Sequence, residues 1–201
     1  YEMNGKDLIP SFELSKQISS FIENKIPVNM SYELFLDQNG EKISKSKGNG
    51  LSIDDWLKYG SIDSLALYMY QNPKRAKRLY FDCIPRSMDD FKKNFEKINF
   101  SDLKSNIENP IWHIKKNLIE GEIYPVEFSS LLNLVTALNT NEPSIIKNFV
   151  KIYYKKQMEN KQEKELDKII KLSISYFQDF ISSYLKKCLP GKEEKVVIQK
   201  I

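Results

Sequence analysis

Lys42-Ile43-Ser44-Lys45-Ser46-Lys47-Gly48-Asn49-Gly50 places three lysines, two serines and two glycines in nine residues. Ahead of it, Tyr32-Glu33-Leu34-Phe35-Leu36 reads as a strand, and Asn39-Gly40 is the dipeptide favoured in a tight hairpin turn. Behind it, Ser52-Ile53-Asp54-Asp55 has capping-box character, which predicts a helix to about Tyr59 with Gly60 as its stop. A short returning strand would deliver Lys42 to Ser46 into a loop held between hairpin and helix. Ammonium groups and hydroxyls on a mobile, glycine-bounded loop suit a polyphosphate whose charge must be held and then moved during reaction. For a lone lysine pair, a solvated loop would explain the composition better.

Upstream of the hairpin, Phe12, Leu14, Ile18, Phe21 and Ile22 fall near helical spacing from Pro10 to Glu23, with Ser11 as the expected N-cap. Gly5-Lys6-Asp7 therefore precedes a helix N-terminus, where anions or ribose hydroxyls are readily bound. Downstream, a helix fits Ile62 to Gln71 and ends at Asn72-Pro73. A long helix is expected from Arg86, carried by Met88, Phe91, Phe95 and Ile98, with Ser87 and Asp90 as a capping pair. Asn109-Pro110-Ile111-Trp112 and then Gly121 to Pro125 break the pattern. Three more helices are expected, roughly Val126 to Leu138, Ser144 to Gln157 and Gln162 to Cys188. In the last, Leu166, Ile169, Ile170, Phe177, Phe180, Ile181, Tyr184 and Leu185 form one apolar face. The chain is thus read as mainly α with a small β portion, mixed before Arg86 and helical after it.

With 201 residues, 41% hydrophobic and 29% charged, the composition is that of a soluble globular protein rather than a disordered one. A net charge of +4 permits a nucleic-acid partner without arguing for one; only clustering of the cations could do that. The densest cluster is Lys74-Arg75-Ala76-Lys77-Arg78, followed by Leu79-Tyr80-Phe81. Cys83 and Cys188 stand far apart without a C-x-x-C or a neighbouring histidine, so no zinc site or disulfide is expected. No apolar run has the length of a membrane span, and no signal pattern opens the chain. Tyr1-Glu2-Met3-Asn4 reads like the end of a strand with no initiator methionine, so the chain is expected to be cut from something larger.

The central loop resembles the KMSKS loop of class I aminoacyl-tRNA synthetases, and a longer string narrows the likeness. Tyr68-Met69-Tyr70-Gln71-Asn72-Pro73-Lys74-Arg75-Ala76-Lys77-Arg78-Leu79-Tyr80-Phe81-Asp82, then Ile84-Pro85-Arg86, resembles the class I lysyl-tRNA synthetases; Asn109 to Ile114 is consistent with it. Gly5-Lys6-Asp7 resembles the G-x-D loop that lies beside ATP in those enzymes. The resemblance implies ATP as substrate, with Mg2+, and L-lysine and tRNA(Lys) as partners of a cytoplasmic enzyme, expected to be a monomer away from membranes. It implies that Lys45 makes the direct phosphate contact, Lys42 sets the loop or makes a secondary contact, and Ser44 and Ser46 donate hydroxyls. Gly5, Asp7 and Gly48 would border the nucleotide. No side chain needs to act as a base, because the attacking carboxylate is already ionised.

One departure limits this. Class I enzymes also need an H-x-G-H element, and this sequence has a single histidine, His113, placed after the loop and without that glycine spacing. His113 is expected to be a packed or partly exposed side chain, and the chain alone is expected to be inactive. Lys74, Arg75, Lys77 and Arg78 are candidates for tRNA phosphates, with an ordinary solvated loop as the competing reading. Trp56 and Trp112 are expected in the core; Tyr153-Tyr154-Lys155-Lys156 is read as packing before RNA contact. The expected division is residues 1–72, the end of a class I (Rossmann-type) catalytic domain; 73–125, a stem-contact region; and 126–201, the start of an α-helical anticodon-binding domain. A non-catalytic tRNA-binding module is the alternative, and a glutamyl-type class I synthetase is disfavoured by the Tyr68 to Arg86 string.

Overall fold

Strand β1 (Glu2–Gly5) pairs in parallel with β2 (Asn29–Tyr32), and helix α1 (Ile9–Ile22) makes the crossover between them. The computed structural model describes residues 1–22, 25–44, 46–115, 117–154 and 162–185. A single 3-10 turn, Lys6–Leu8, links β1 to α1, so the helix starts at Ile9 and Ser11 lies inside it rather than capping it. Pro10 fits that first turn because its missing N–H has no intrahelical acceptor there. Of the apolar positions of α1, Phe12 is buried, whereas Leu14, Ile18 and Ile22 are exposed and Phe21 is 92% exposed.

The stretch expected as one strand from Tyr32 to Leu36 is two. β2 ends at Tyr32, and β3 (Phe35–Leu36) pairs in parallel with β4 (Lys77–Arg78), a two-residue strand too short to announce itself by alternation. Between them Glu33 N donates to Pro73 O at 2.8 Å, so the backbone changes partner within two residues.

After the hairpin, α2 (Ile53–Leu57), α3 (Ile62–Tyr70), α4 (Ile84–Phe95), α5 (Pro110–Ile114), α6 (Phe128–Leu138), α7 (Pro143–Tyr153) and α8 (Glu163–Phe180) build a helical body. The capping box of α2 is present: Ser52 Oγ accepts from Asp55 N at 3.1 Å, and Asp55 Oδ2 accepts from Ser52 N at 3.3 Å. α4 opens two residues earlier than expected because Pro85 occupies its first turn. Ser87 and Asp90 do not cap it. Ser87 is buried and its hydroxyl donates to Cys83 O at 2.8 Å, while Asp90 faces Arg86.

The core of this body is one continuous cluster from Trp56 through Met88, Phe91, Ile111, Phe128 and Ile146 to Phe177. It runs across the expected boundaries at 72/73 and 125/126. α6 has no cap of its own; Asp89, buried on α4, accepts from Phe128 N at 2.5 Å and Ser129 N at 3.3 Å instead. Trp56 is fully buried and Trp112 half-buried. α8 stops at Phe180 and gives way to a 3-10 turn, Ser182–Tyr184, so Tyr184 leaves the apolar face and is exposed. Tyr59, past the end of α2, donates to Asp179 at 2.7 Å and ties the two ends of the body together. Burial, assisted by that carboxylate, pushes the Tyr59 phenol up to about 12. Among the described residues no helix is long and apolar enough to cross a membrane.

Candidate functional site

The loop grows out of a hairpin tied at its base. Asp37 N donates to Glu41 O at 2.8 Å and Gly40 N to Asp37 O at 3.1 Å, giving a three-residue connection closed by Gly40 at φ 80°. That is a turn followed by a left-handed glycine, not the two-residue turn that Asn39-Gly40 suggested. The returning limb bridges Leu36 through Lys42, and Ile43 N donates to Phe35 O at 3.1 Å. Ser44 follows. Its hydroxyl lies 2.7 Å from that of Ser46 on the solvent side, and Lys47 N turns back to Ser44 O at 3.2 Å. Gly48 holds φ 63°, and a Cβ at Gly50 would lie 3.0 Å from the Ile43 side chain. Lys45 lies outside the described residues.

The neck of the loop is closed by Asp37 and Asn49. One Asp37 oxygen accepts from Asn39 N and Glu41 N, each at 2.9 Å; the other accepts from the Asn49 amide at 2.7 Å. Asn49 Oδ1 in turn accepts from Ser44 N at 3.0 Å. Asp37 is buried, and the Asn49 and Glu41 hydrogen bonds hold its carboxyl below the usual carboxylate range. The sequence marks neither as a site residue, although Asn49 lies between Gly48 and Gly50 in the loop.

Two segments far apart in sequence meet here. Lys42 on the loop makes an ion pair with Asp7 in the turn before α1, and Lys6 pairs with Glu33 at 2.7 Å. Glu33 raises the Lys6 ammonium above its ordinary value. Gly5 closes β1 at φ −64°, a conformation open to any residue, with the Tyr32 ring 3.8 Å from where a Cβ would stand. The Lys42–Asp7 pair thus joins the 3-10 turn that follows Gly5 to the hairpin that carries Ser44, Ser46 and Gly48.

The cationic cluster divides. Lys74, Arg75 and Arg78 are exposed, and Arg78 pairs with Asp82. Lys77 points the other way: its ammonium donates to the carbonyls of Tyr68 and Gln71 at the end of α3 and lies over the Tyr68 ring, 5.0 Å from its centre. Burial pushes that ammonium below its ordinary value. Successive side chains on a strand face opposite sides, so Lys77 and Arg78 on β4 cannot share one. A groove of about 380 Å³ runs beside the cluster, lined by Asn72, Arg75, Arg78 and Arg86 among others. Arg86 joins because the first turn of α4 returns to the cluster. The sequence clue was its place in Ile84-Pro85-Arg86.

The remaining candidates sit elsewhere. His113 is exposed, its Nε2–H donates to Ile107 O at 2.6 Å, and its ring stacks on Tyr70 with centres 5.8 Å apart. Tyr153 is exposed and Tyr154 half-buried; Lys155 and Lys156 lie outside the described residues. Cys83 is half-buried with its thiol raised by burial, and Cys188 is outside the described residues. Among the described residues no group of three or more His, Cys, Asp or Glu is placed to hold a metal ion. A cavity of about 430 Å³ between α3, α4 and α8 is lined by Asp63, Lys115, Glu122, Glu165 and Lys168, with none of the loop residues. Its opposite charges pair with one another, Lys115 with Asp63 at 3.5 Å and Lys168 with Glu165 at 2.5 Å.

A family model described as tRNA synthetases class I (K) matches residues 1–118. Lysine--tRNA ligases of Rickettsia bellii (strain OSU 85-389) and Rickettsia africae (strain ESF-5) are 41% and 42% identical over 203 residues, covering 100% of this chain and 39% of each relative. That of Rickettsia felis is 41% identical over 203 residues, covering 100% of this chain and 38% of the relative. The chain therefore spans about two fifths of the length of these relatives.

Proposed function

Because the chain belongs to the class I (K) tRNA synthetases, we propose that it supplies the ATP-phosphate side of the active site of a lysine--tRNA ligase. The observation that carries this is the Lys42–Asp7 pair, which brings the Lys/Ser loop against the Gly5–Asp7 turn. In the reaction the lysine carboxylate attacks the α-phosphorus of ATP, and pyrophosphate leaves. The tRNA's terminal ribose hydroxyl then attacks the adenylate carbonyl and AMP leaves. Negative charge builds on phosphoryl oxygens in the first step, so cations and hydroxyls aimed there stabilise the transition state more than the ground state.

Lys45 makes the direct phosphate contact in this reading, and Ser44 and Ser46 add hydroxyl donors. Lys42, already paired with Asp7, orients the loop. A carboxylate beside phosphate would repel it, so Asp7 and Gly5 border the ribose side. Mg2+ accompanies ATP and offsets its phosphate charge. Lys74, Arg75 and Arg78 lie along tRNA(Lys) phosphates, while Lys77 holds the strand beneath them. The parallel β1–α1–β2 unit, with its uncovered α1 face, is the remnant of a Rossmann-type sheet, since parallel strands are normally covered on both faces. The division into residues 1–72, 73–125 and 126–201, a cytoplasmic location and a monomeric state belong to the same proposal.

The test is amino-acid-dependent ATP–pyrophosphate exchange by the complete enzyme, run with each amino acid in turn. Exchange with lysine alone is expected. The 201-residue chain by itself should give none, because one histidine cannot form the second phosphate-binding element and partial contacts do not orient two substrates. Exchange driven by glutamate would move the chain to another specificity. No exchange by the complete protein, with tRNA binding retained, would favour the non-catalytic module.

A further inference from the structure

We propose that Asp37 and Asn49 are positioning residues for the phosphate loop, closing its neck so that the donors of its tip arrive at ATP already arranged. This rests on the reading of residues 42–50 as the ATP loop.

An ionised carboxylate only accepts, and a backbone N–H only donates. Asn49 stands between Asp37 and Ser44 N, so its NH2 must face the carboxylate and its oxygen must face Ser44, at the 2.7 and 3.0 Å found. The orientation of the amide is fixed by chemistry. Asp37 divides its oxygens in the same way, one for the turn amides of Asn39 and Glu41, the other for Asn49. The two side chains therefore join the turn, the returning limb at Ser44 and the exit of the loop at Asn49. Among the described residues, only these bonds connect both limbs with the turn through a buried group: the parallel tie, Lys47 to Glu41 at 3.0 Å, is exposed and of little weight.

The consequence falls on Ser44. Its N–H is held by Asn49, and its hydroxyl lies against that of Ser46. Fixing the backbone at Ser44 fixes the base from which its hydroxyl meets that of Ser46. Charge contacts to a phosphoryl group are worth most when they need no rearrangement during reaction. A neck that opens would spread the tip over many positions, and the lost preorganisation would appear in the rate of activation before it appeared in lysine affinity.

A reciprocal exchange separates this from a general packing role. Asp37→Asn faces one NH2 with another, and Asn49→Asp faces one carboxylate with another, so each single change opens the neck. In the double variant the new amide at 37 keeps its oxygen on the turn and donates to the new carboxylate at 49. The second oxygen of that carboxylate still accepts from Ser44 N. The bonds from residue 49 to residue 37 and to Ser44 N are restored with the net charge unchanged; the long donation from residue 49 to Lys42 O, 3.4 Å in the wild type, is lost.

In the complete enzyme each single variant is expected to lower kcat for lysine-dependent pyrophosphate exchange on the order of tenfold or more, while the double variant returns to within about threefold of wild type. In the 201-residue chain, hydrogen exchange at the Ser44 amide should speed up in both single variants and slow again in the double. Single variants at the wild-type rate, or a double variant no better than the worse single one, would overturn the inference. A wild-type enzyme with no pyrophosphate exchange would overturn the ATP reading itself, and this inference with it. Wild-type exchange that the variants leave unaltered overturns this inference alone.

Discussion

Lys77 donates to the carbonyls of Tyr68 and Gln71, while Arg78 beside it faces solvent and pairs with Asp82. The last carbonyls of a helix have no partner within it, and a cation near them also meets the negative end of the helix dipole. Lys77 therefore serves folding. Lys77→Ala is expected to destabilise the chain by about 2 kcal/mol, the scale of losing charge-assisted hydrogen bonds to half-buried carbonyls. It should leave the salt dependence of tRNA affinity unchanged. Replacing Lys74 and Arg75 together by alanine is expected to do the reverse: no shift in melting, and a salt slope flatter by roughly one to two units because fewer counterions are released. Affinity at several salt concentrations beside a thermal melt reads both. A flattened slope from Lys77→Ala would make it a candidate phosphate contact again. Four adjacent cations looked alike in sequence because composition does not say which side of a two-residue strand each faces.

Caps decide where the elements begin, and they come from two sources. Ser52 and Asp55 cap α2 from within its own first turn, a pattern readable three residues apart. The first amides of α6 are capped from α4, where Asp89 reaches Phe128 N and Ser129 N. Nothing near Phe128 in sequence announces this. Ser52→Ala is expected to cost about 1 kcal/mol, as an exposed N-cap does. Asp89→Ala should cost more, about 2 to 3 kcal/mol, because it strands buried amides and removes a charged acceptor. Urea unfolding of both variants checks the order, and a smaller loss for Asp89→Ala would remove it as a cap. The same contrast explains the ends that sequence misplaced: Ser11 and Ser87 have capping chemistry, but the chain enters α1 through a 3-10 turn and α4 through Pro85.

The molecule as a whole is unevenly secured. From Trp56 to Phe177 a single apolar cluster joins the helices, and Tyr59 on Asp179 closes it across the chain. The β1–α1–β2 unit has little of this: α1 buries Phe12 alone and leaves its other large apolar side chains exposed. Opening free energy follows buried apolar contact, so the two parts should open separately. Native-state hydrogen exchange is expected to show amides of α4, α6 and α8 exchanging together near the global stability and those of α1 orders of magnitude faster. Protection of α1 equal to that of α8 would mean the first 32 residues fold with the body, contrary to their burial.

Much of this protein was written in short-range pattern. The apolar spacing of α4 and α8, the capping box of α2 and the lysine–serine–glycine composition of the loop each depend on residues within a few positions of one another, so they can be read without a fold. What only the tertiary structure decided are the meetings across distance: Lys42 with Asp7, 35 residues away, Asp89 with Phe128, 39 away, and Tyr59 with Asp179, 120 away. Asp37 and Asn49 fall between the two cases. Both stand in plain view beside the loop, yet their partnership needs the hairpin to fold back and place them 2.7 Å apart. A periodicity reports which way a side chain faces within its own element; which distant donor awaits it is set by how the elements pack.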